Sequence, residues 1–211
     1  LNIAATSSIG NITALDVAEF LIVVVAALFA ITMHELAHGY TAYLLGDTTA
    51  KDQGRLTLNP IKHIDPFGLL ALVILKIGWA KPVPINPMKF KKRKSGTILV
   101  SLAGPAMNLL LAFLFGLLYK ITLGLNDFVT YLFLYSMIVN VGLGVFNLLP
   151  LPPLDGSKIL ASLLPQKWEM YFYKYERYLS LLVLILYFTG VVSAVILPVI
   201  NSIINFIVYV V

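Results

Sequence analysis

Four stretches of the chain, 17–31, 97–119, 128–149 and 179–200, are predominantly apolar and contain neither lysine nor arginine. Each is near the roughly 20 residues with which a helix crosses about 30 Å of hydrocarbon, so each predicts a membrane span. The first helix is expected from about Asp16 to Leu45, with Asp16 and Glu19 at its positive N-terminal end. Gly46-Asp47 ends it, because glycine accepts left-handed angles after a helix. At about 1.5 Å per residue it exceeds the bilayer core, so its last turns leave the hydrocarbon or tilt. A second helix is expected over 95–118 and a third over 128–147, antiparallel because the connection is short. A fourth is expected from about Tyr178 to Leu197, with Pro198 separating it from an apolar tail at 199–211.

The polar breaks carry their own pattern. In 47–66, Arg55-Leu56-Thr57-Leu58 alternates like a short strand, and Asn59-Pro60 and Asp65-Pro66 mark turns. A β-hairpin or folded loop is expected there, lying at the interface or against protein because an open strand edge cannot face lipid. Residues 67–80 are apolar but short for a span, and Lys76 and Gly78 interrupt them, which predicts a re-entrant or partial helix. Pro82, Pro84 and Pro87 then exclude an ordinary helix. Prolines also break 148–156 while its surroundings stay apolar, which demands protein or a wet cavity around the backbone. Residues 157–177 read as a polar loop with an interfacial aromatic belt, and 1–15 as a peripheral arm or ordered terminus.

Composition decides the solvent. With 59% hydrophobic and 12% charged residues, the chain has too few polar groups to cover a soluble surface; about 25% charged is usual. The expected class is an all-α polytopic membrane protein in a lipid bilayer. Its transmembrane helix bundle carries a re-entrant or β-hairpin-like segment between the first and second core helices. Three loops, 49–65, 81–95 and 158–177, hold 13 of the 15 lysines and arginines. They fall on one side if 67–80 does not fully cross, and the positive-inside rule makes that side cytoplasmic. The basic run at 89–94 abuts a span, so it reads as an anchor facing lipid phosphates and not as a nucleic-acid site. The absence of cysteine excludes thiolate nucleophiles, thiolate metal ligands and disulfides.

The chemistry sits inside the first helix. His34-Glu35-Leu36-Ala37-His38 places two imidazoles at i and i+4, on one face and about one turn apart. Two neutral imidazoles so placed can hold Zn²⁺, and Glu35 beside them suits a general base. A catalytic zinc needs a third protein ligand and an open position. Asp155, the sole acidic residue between Asp127 and Glu169, is the candidate; a plain Asp-Gly turn is its alternative. His63 is a rival ligand, with a role in the substrate path or a bond to Asp65 as other readings. Asn108 and Asn147 are amides within apolar helices, able to serve as packing glue or as donors to a developing oxyanion. Gly104, with Ala103, allows close helix approach. Intramembrane His and Asp also mark ion paths, but no internal repeat of the transporter kind is visible in the sequence.

These blocks together resemble the site-2 protease family of intramembrane metalloproteases, most closely the small bacterial members without PDZ or CBS domains. The likeness covers about residues 30–165: His34 to Gly39, Gly46-Asp47, Gly54 to Pro60, His63 to Pro66, Trp79 to Pro84, Leu102 to Pro105 with Asn108, Asn147 to Pro150, and Leu154-Asp155-Gly156. The resemblance implies one Zn²⁺ per chain on His34, His38 and Asp155, with Glu35 as general base and Asn147 helping the tetrahedral intermediate or orienting the substrate. It implies a single intramembrane protease domain over 1–211, with its catalytic core at about 16–165 and additional helix at 178–211. The substrates it implies are transmembrane proteins or peptides, cleaved within or near their membrane segments, often in signalling. The expected location is the bacterial cytoplasmic membrane.

Overall fold

The computed structural model describes residues 14–68 and 79–211. Its helices are α1 (Ala14–Leu44), α2 (Thr49–Asp52), α3 (Arg93–Thr122), α4 (Asp127–Asn147), α5 (Asp155–Leu163), α6 (Gln166–Phe188) and α7 (Val191–Val210). Short 3₁₀ turns lie at Pro60–Lys62 and Pro87–Lys89. Among the described residues four segments are long and apolar enough to cross a membrane: Val17–Leu44, Arg93–Thr122, Asp127–Asn147 and Val191–Val210. Leu21, Val25, Leu110, Phe206 and similar side chains point outward from these helices, as a lipid-facing surface requires. The chain is an all-α polytopic membrane protein.

Helix α3 is the centre, packed against α1, α4 and α5. Its Pro105 sits within the helix, where it removes one backbone donor without ending it. Gly46 ends the α1 run at φ 103°, as the sequence predicts. Asn126 caps α4 by accepting from Val129 N–H at 3.1 Å. Met137 and Val141 of α4, Ala112 of α3 and Val192, Ile196 and Ile207 of α7 form the larger apolar core. Ile207 fills the space left by the missing side chain of Gly116, so α7 seals the outer part of the bundle.

The three basic loops meet at one end, consistent with their expected placement on one side. Asp47 accepts from Asn86 N–H at 2.6 Å and pairs with Lys89 at 3.4 Å. Arg93 donates to Glu169 Oε2 at 2.8 Å, which ties the start of α3 to α6.

Three expectations are corrected. The fourth span is Val191–Val210, not 178–197. The break falls at Gly190, with φ 78°, and Pro198 lies inside α7. Glycine there adopts a left-handed turn at no steric cost, whereas a proline in an apolar helix costs one backbone bond and need not end it. Residues 157–177 are helical, in α5 and α6, except for the break at Leu164-Pro165, instead of a loop. No β-hairpin forms among the described residues of 47–66. The stretch is the folded loop, the other alternative: α2 followed by turns, with an antiparallel bridge from Ile64 to Ala80 as the β contact among the described residues. The re-entrant expectation for 67–80 falls mostly on 69–78, outside the described residues.

Candidate functional site

Helix geometry puts His34 and His38 one turn apart on the face of α1 that meets α3, and both are 5% exposed. Asp155 joins them from the first residue of α5, also 5% exposed. The sequence suggested irregular backbone for Asp155; a helix N-terminus takes its place, and its free N–H groups favour a carboxylate. Gly156 is what lets α5 begin there. A Cβ on it would collide with the carbonyl groups of Leu148 and Leu149 at the end of α4.

Asp155 Oδ2 lies 3.1 Å from His34 Nε2 and 3.0 Å from His38 Nε2, and the two Nε2 atoms are 2.9 Å apart. The opposite ring nitrogens are already committed. His34 Nδ1 lies 2.6 Å from Asn108 Oδ1, and His38 Nδ1 lies 2.6 Å from Val100 O. Asn108 donates its amide to Ala30 O at 3.2 Å and Asn140 Oδ1 at 2.9 Å, so its oxygen must accept. Both imidazoles therefore donate through Nδ1–H, so that in the neutral ring each Nε2 presents a lone pair. Two lone pairs and a carboxylate oxygen facing one another repel unless a cation sits among them. Ligands about 2.0–2.1 Å from a tetrahedral zinc would stand about 3.3 Å apart, close to these spacings. The donor set suits a metal ion and is poorly explained without one.

Beneath the pair, Gly104 of α3 is required by space. A Cβ there would overlap His38 Nε2 and the Cε1 atoms of both rings. Gly104 was legible only as a residue for helix approach; its role against the imidazoles needed the fold. Asn140 escaped the sequence reading, although it is an amide in an apolar helix, the same signal that singled out Asn108 and Asn147. It is fully buried, holds Asn108, and donates to Ser136 O at 2.8 Å.

The remaining candidates fall elsewhere. Asn147 donates to Leu143 O one turn back at 3.0 Å, and among the described residues it has no bond to the trio. His63 is buried, bonds Thr57 O at 2.9 Å through Nε2, and is not in the metal-ligand cluster. Glu35, partly buried, accepts from Val83 N–H at 2.7 Å through Oε2. In front of His38 and Asp155 a cavity of about 410 Å³ opens, walled by Val83, Ile85, Phe90, Lys158, Tyr173 and Glu176 among others. Lys158 Nζ pairs with the outer oxygen of Asp155 at 3.1 Å.

With this geometry in hand, comparison with known proteins decides the family. The model of peptidase family M50 matches residues 120–190, a stretch that contains Asn147 and Asp155. "Putative zinc metalloprotease YwhC" of Bacillus subtilis is 43% identical over 191 residues, covering 85% of each chain. The chain belongs to peptidase family M50. It is thus a site-2-protease-type metalloprotease, and its apolar helices make it a multi-pass membrane protein. "Putative zinc metalloprotease Rip2" of Mycolicibacterium smegmatis is 35% identical over 153 residues, 66% of this chain and 56% of that one. The Mycobacterium tuberculosis H37Rv protein of the same name is 31% identical over 153 residues, 67% of this chain and 56% of that one. No solved structure matches. Family membership sets aside the transporter reading and gives the buried trio a hydrolytic context.

Proposed function

We propose that this chain, a single domain in the bacterial cytoplasmic membrane, cleaves peptide bonds within or near the transmembrane segments of other membrane proteins. His34, His38 and Asp155 would hold one Zn²⁺ and Glu35 would act as general base. The observation that carries the assignment is the convergence of three buried ligand atoms, with their lone pairs directed at one another, beside a glutamate that takes no part in the cluster.

When bound there, zinc supplies a Lewis acid that lowers the pKa of water and polarises a carbonyl. The residues supply the rest. Asn108 and Val100 O hold the imidazoles in the tautomer that leaves both Nε2 atoms free. Glu35 takes a proton from the attacking water and returns it to the departing amine. The cavity in front admits a substrate stretch that has left helical form, since a regular helix keeps its carbonyls engaged. Packed helices behind the trio keep bulk water from that side. Of the two amides foreseen as oxyanion donors, Asn108 gives its N–H groups to Ala30 O and Asn140 Oδ1, while Asn147 gives one N–H to Leu143 O of its own helix and keeps a second.

The test compares membrane-protein fragments in cells carrying wild type or Glu35→Gln, beside the zinc content of both purified proteins. Fragments that vanish in Glu35→Gln while zinc stays at about one per chain support the reading. Equal fragments from both would sink it.

A further inference from the structure

The extended chain from Lys81 to Asn86 is pinned along its length. Lys81 N–H donates to His63 O at 2.9 Å, and Asn86 N–H donates to Asp47 Oδ2 at 2.6 Å. Arg55 donates to Lys81 O at 2.8 Å. Between those anchors comes Val83 N–H, given to Glu35. Its flanks are Pro82 and Pro84, which have no N–H to give. Lys81 and Val83 each precede a proline, which holds both residues in extended backbone and fixes where the Val83 N–H points. The side chain of Val83 is 5% exposed and lies over Gly39, just beyond His38, where an added Cβ would meet Val83 Cγ1 at 3.0 Å and Leu56 Cδ2 at 2.6 Å. Position 39 is left bare, and the strap settles onto α1 beside the ligands.

We propose that Val83 is a positioning residue for the reaction: its backbone N–H holds Glu35 by one carboxylate oxygen, leaving the other to carry the proton. A carboxylate on a two-torsion stem is free to turn among rotamers, and one charge-assisted bond from rigid backbone removes that freedom. The two prolines keep the strap extended and leave Val83 as the sole donor between Lys81 and Ile85. A bland account exists, in which the bond merely satisfies a half-buried carboxylate. The two differ in what happens once Glu35 can no longer act as a base. The inference rests on the reading of Glu35 given above.

The experiment uses the full-length, zinc-loaded protein in nanodiscs and a fluorescein-labelled single-span peptide chosen because the wild type cleaves it. Val83 is replaced by its α-hydroxy acid, which turns the N–H into an ester oxygen and keeps the side chain. This should lower kcat about 10- to 100-fold, the effect of losing a hydrogen bond to a charged group, with KM, zinc content and Tm unchanged. Val83→Ala keeps the N–H but trims the cavity wall, so its effect should appear in KM and not in kcat. Placed in Glu35→Gln, the ester should cause no further loss. A wild-type kcat for the ester, an equal fractional loss in both backgrounds, or loss of zinc would each overturn the proposal. If Glu35→Gln itself cleaves the peptide at the wild-type rate, the base assignment falls and this inference falls with it.

Discussion

The two sides of the His34, His38 and Asp155 trio are built differently. Behind it runs a dry ladder of amides. Ser136 O accepts from Asn140, Asn140 accepts from Asn108, and Asn108 accepts from His34, with Asn108 and Asn140 fully buried. Each polar group there has a partner, which low dielectric demands, since an unpaired one would cost about 1–3 kcal/mol. In front lies a cavity that also carries half-exposed charged residues: the Arg93 side chain is 39% and that of Lys158 42% exposed. Its wall comes from the strap at 81–90, from α3, α5 and α6, and from His38 of α1. The contrast separates two tasks. A saturated, buried rear fixes ligand direction, and a mixed, open front leaves room for a chain to enter.

Perturbing the two sides should give effects of different size and kind. The largest concerns the ligands and base at the junction. His34→Ala and Asp155→Ala should lose zinc and activity together. Glu35→Gln should keep zinc while cleavage falls by about 10²–10⁴-fold. Elemental analysis beside a cleavage assay separates them, and full zinc in Asp155→Ala would remove Asp155 from the ligand set.

Next comes the rear. Gly104→Ala forces a methyl into the two imidazoles, so zinc affinity and activity should both fall by more than tenfold. A competitive chelator titration reads this directly, and unaltered affinity would show that α3 can back away at no cost. Along the ladder the effect should fall with distance from the ligands. Asn108→Ala should weaken zinc about 10- to 100-fold, and Asn140→Ala, one bond further away, by a smaller factor. The reverse order would mean that the ladder serves packing and not the ligands.

The smallest effect belongs to the front. Arg93, through its bond to Glu169, holds the Glu169 carboxyl below its ordinary pKa against the opposing effect of burial. A lowered pKa means the pair stabilises fully above the ordinary carboxylate value and is lost as pH falls through the lowered one. Thermal unfolding of wild type against Glu169→Gln should therefore differ at pH 7 and converge only in acid, once the pH has fallen below the ordinary carboxylate range. A difference that persists in acid would show that the contact is not ionic. Zinc affinity at neutral pH should not change in Glu169→Gln, which keeps this prediction on the front side.

Much was readable before any fold. Hydropathy and charge count determine the solvent of a chain, because neither depends on which helix touches which. The i, i+4 spacing of His34 and His38 sets both on one face of any helix, with Glu35 alongside, so this part of the site is local geometry. Three of the four spans follow for the same reason. The rest depends on separations that no local pattern encodes. Asp155 reaches His34 across 121 positions and Asn108 reaches it across 74, while Glu35 meets Val83 across 48. Asn108, Asn140 and Asn147 look alike as amides in apolar helices; the facing of α3 and α4 turns the first two inward and leaves Asn147 bonded to its own helix. The Gly190 break and the helical Pro198 were likewise ambiguous, since an apolar stretch tolerates either and packing against α3 and α4 selects the helix that runs from Val191 to Val210. The sequence by itself determined the chemistry available and the membrane that surrounds it. Tertiary structure decided which equivalent groups face the metal ligands, because a close approach between distant segments is settled by the space each side chain leaves to the others.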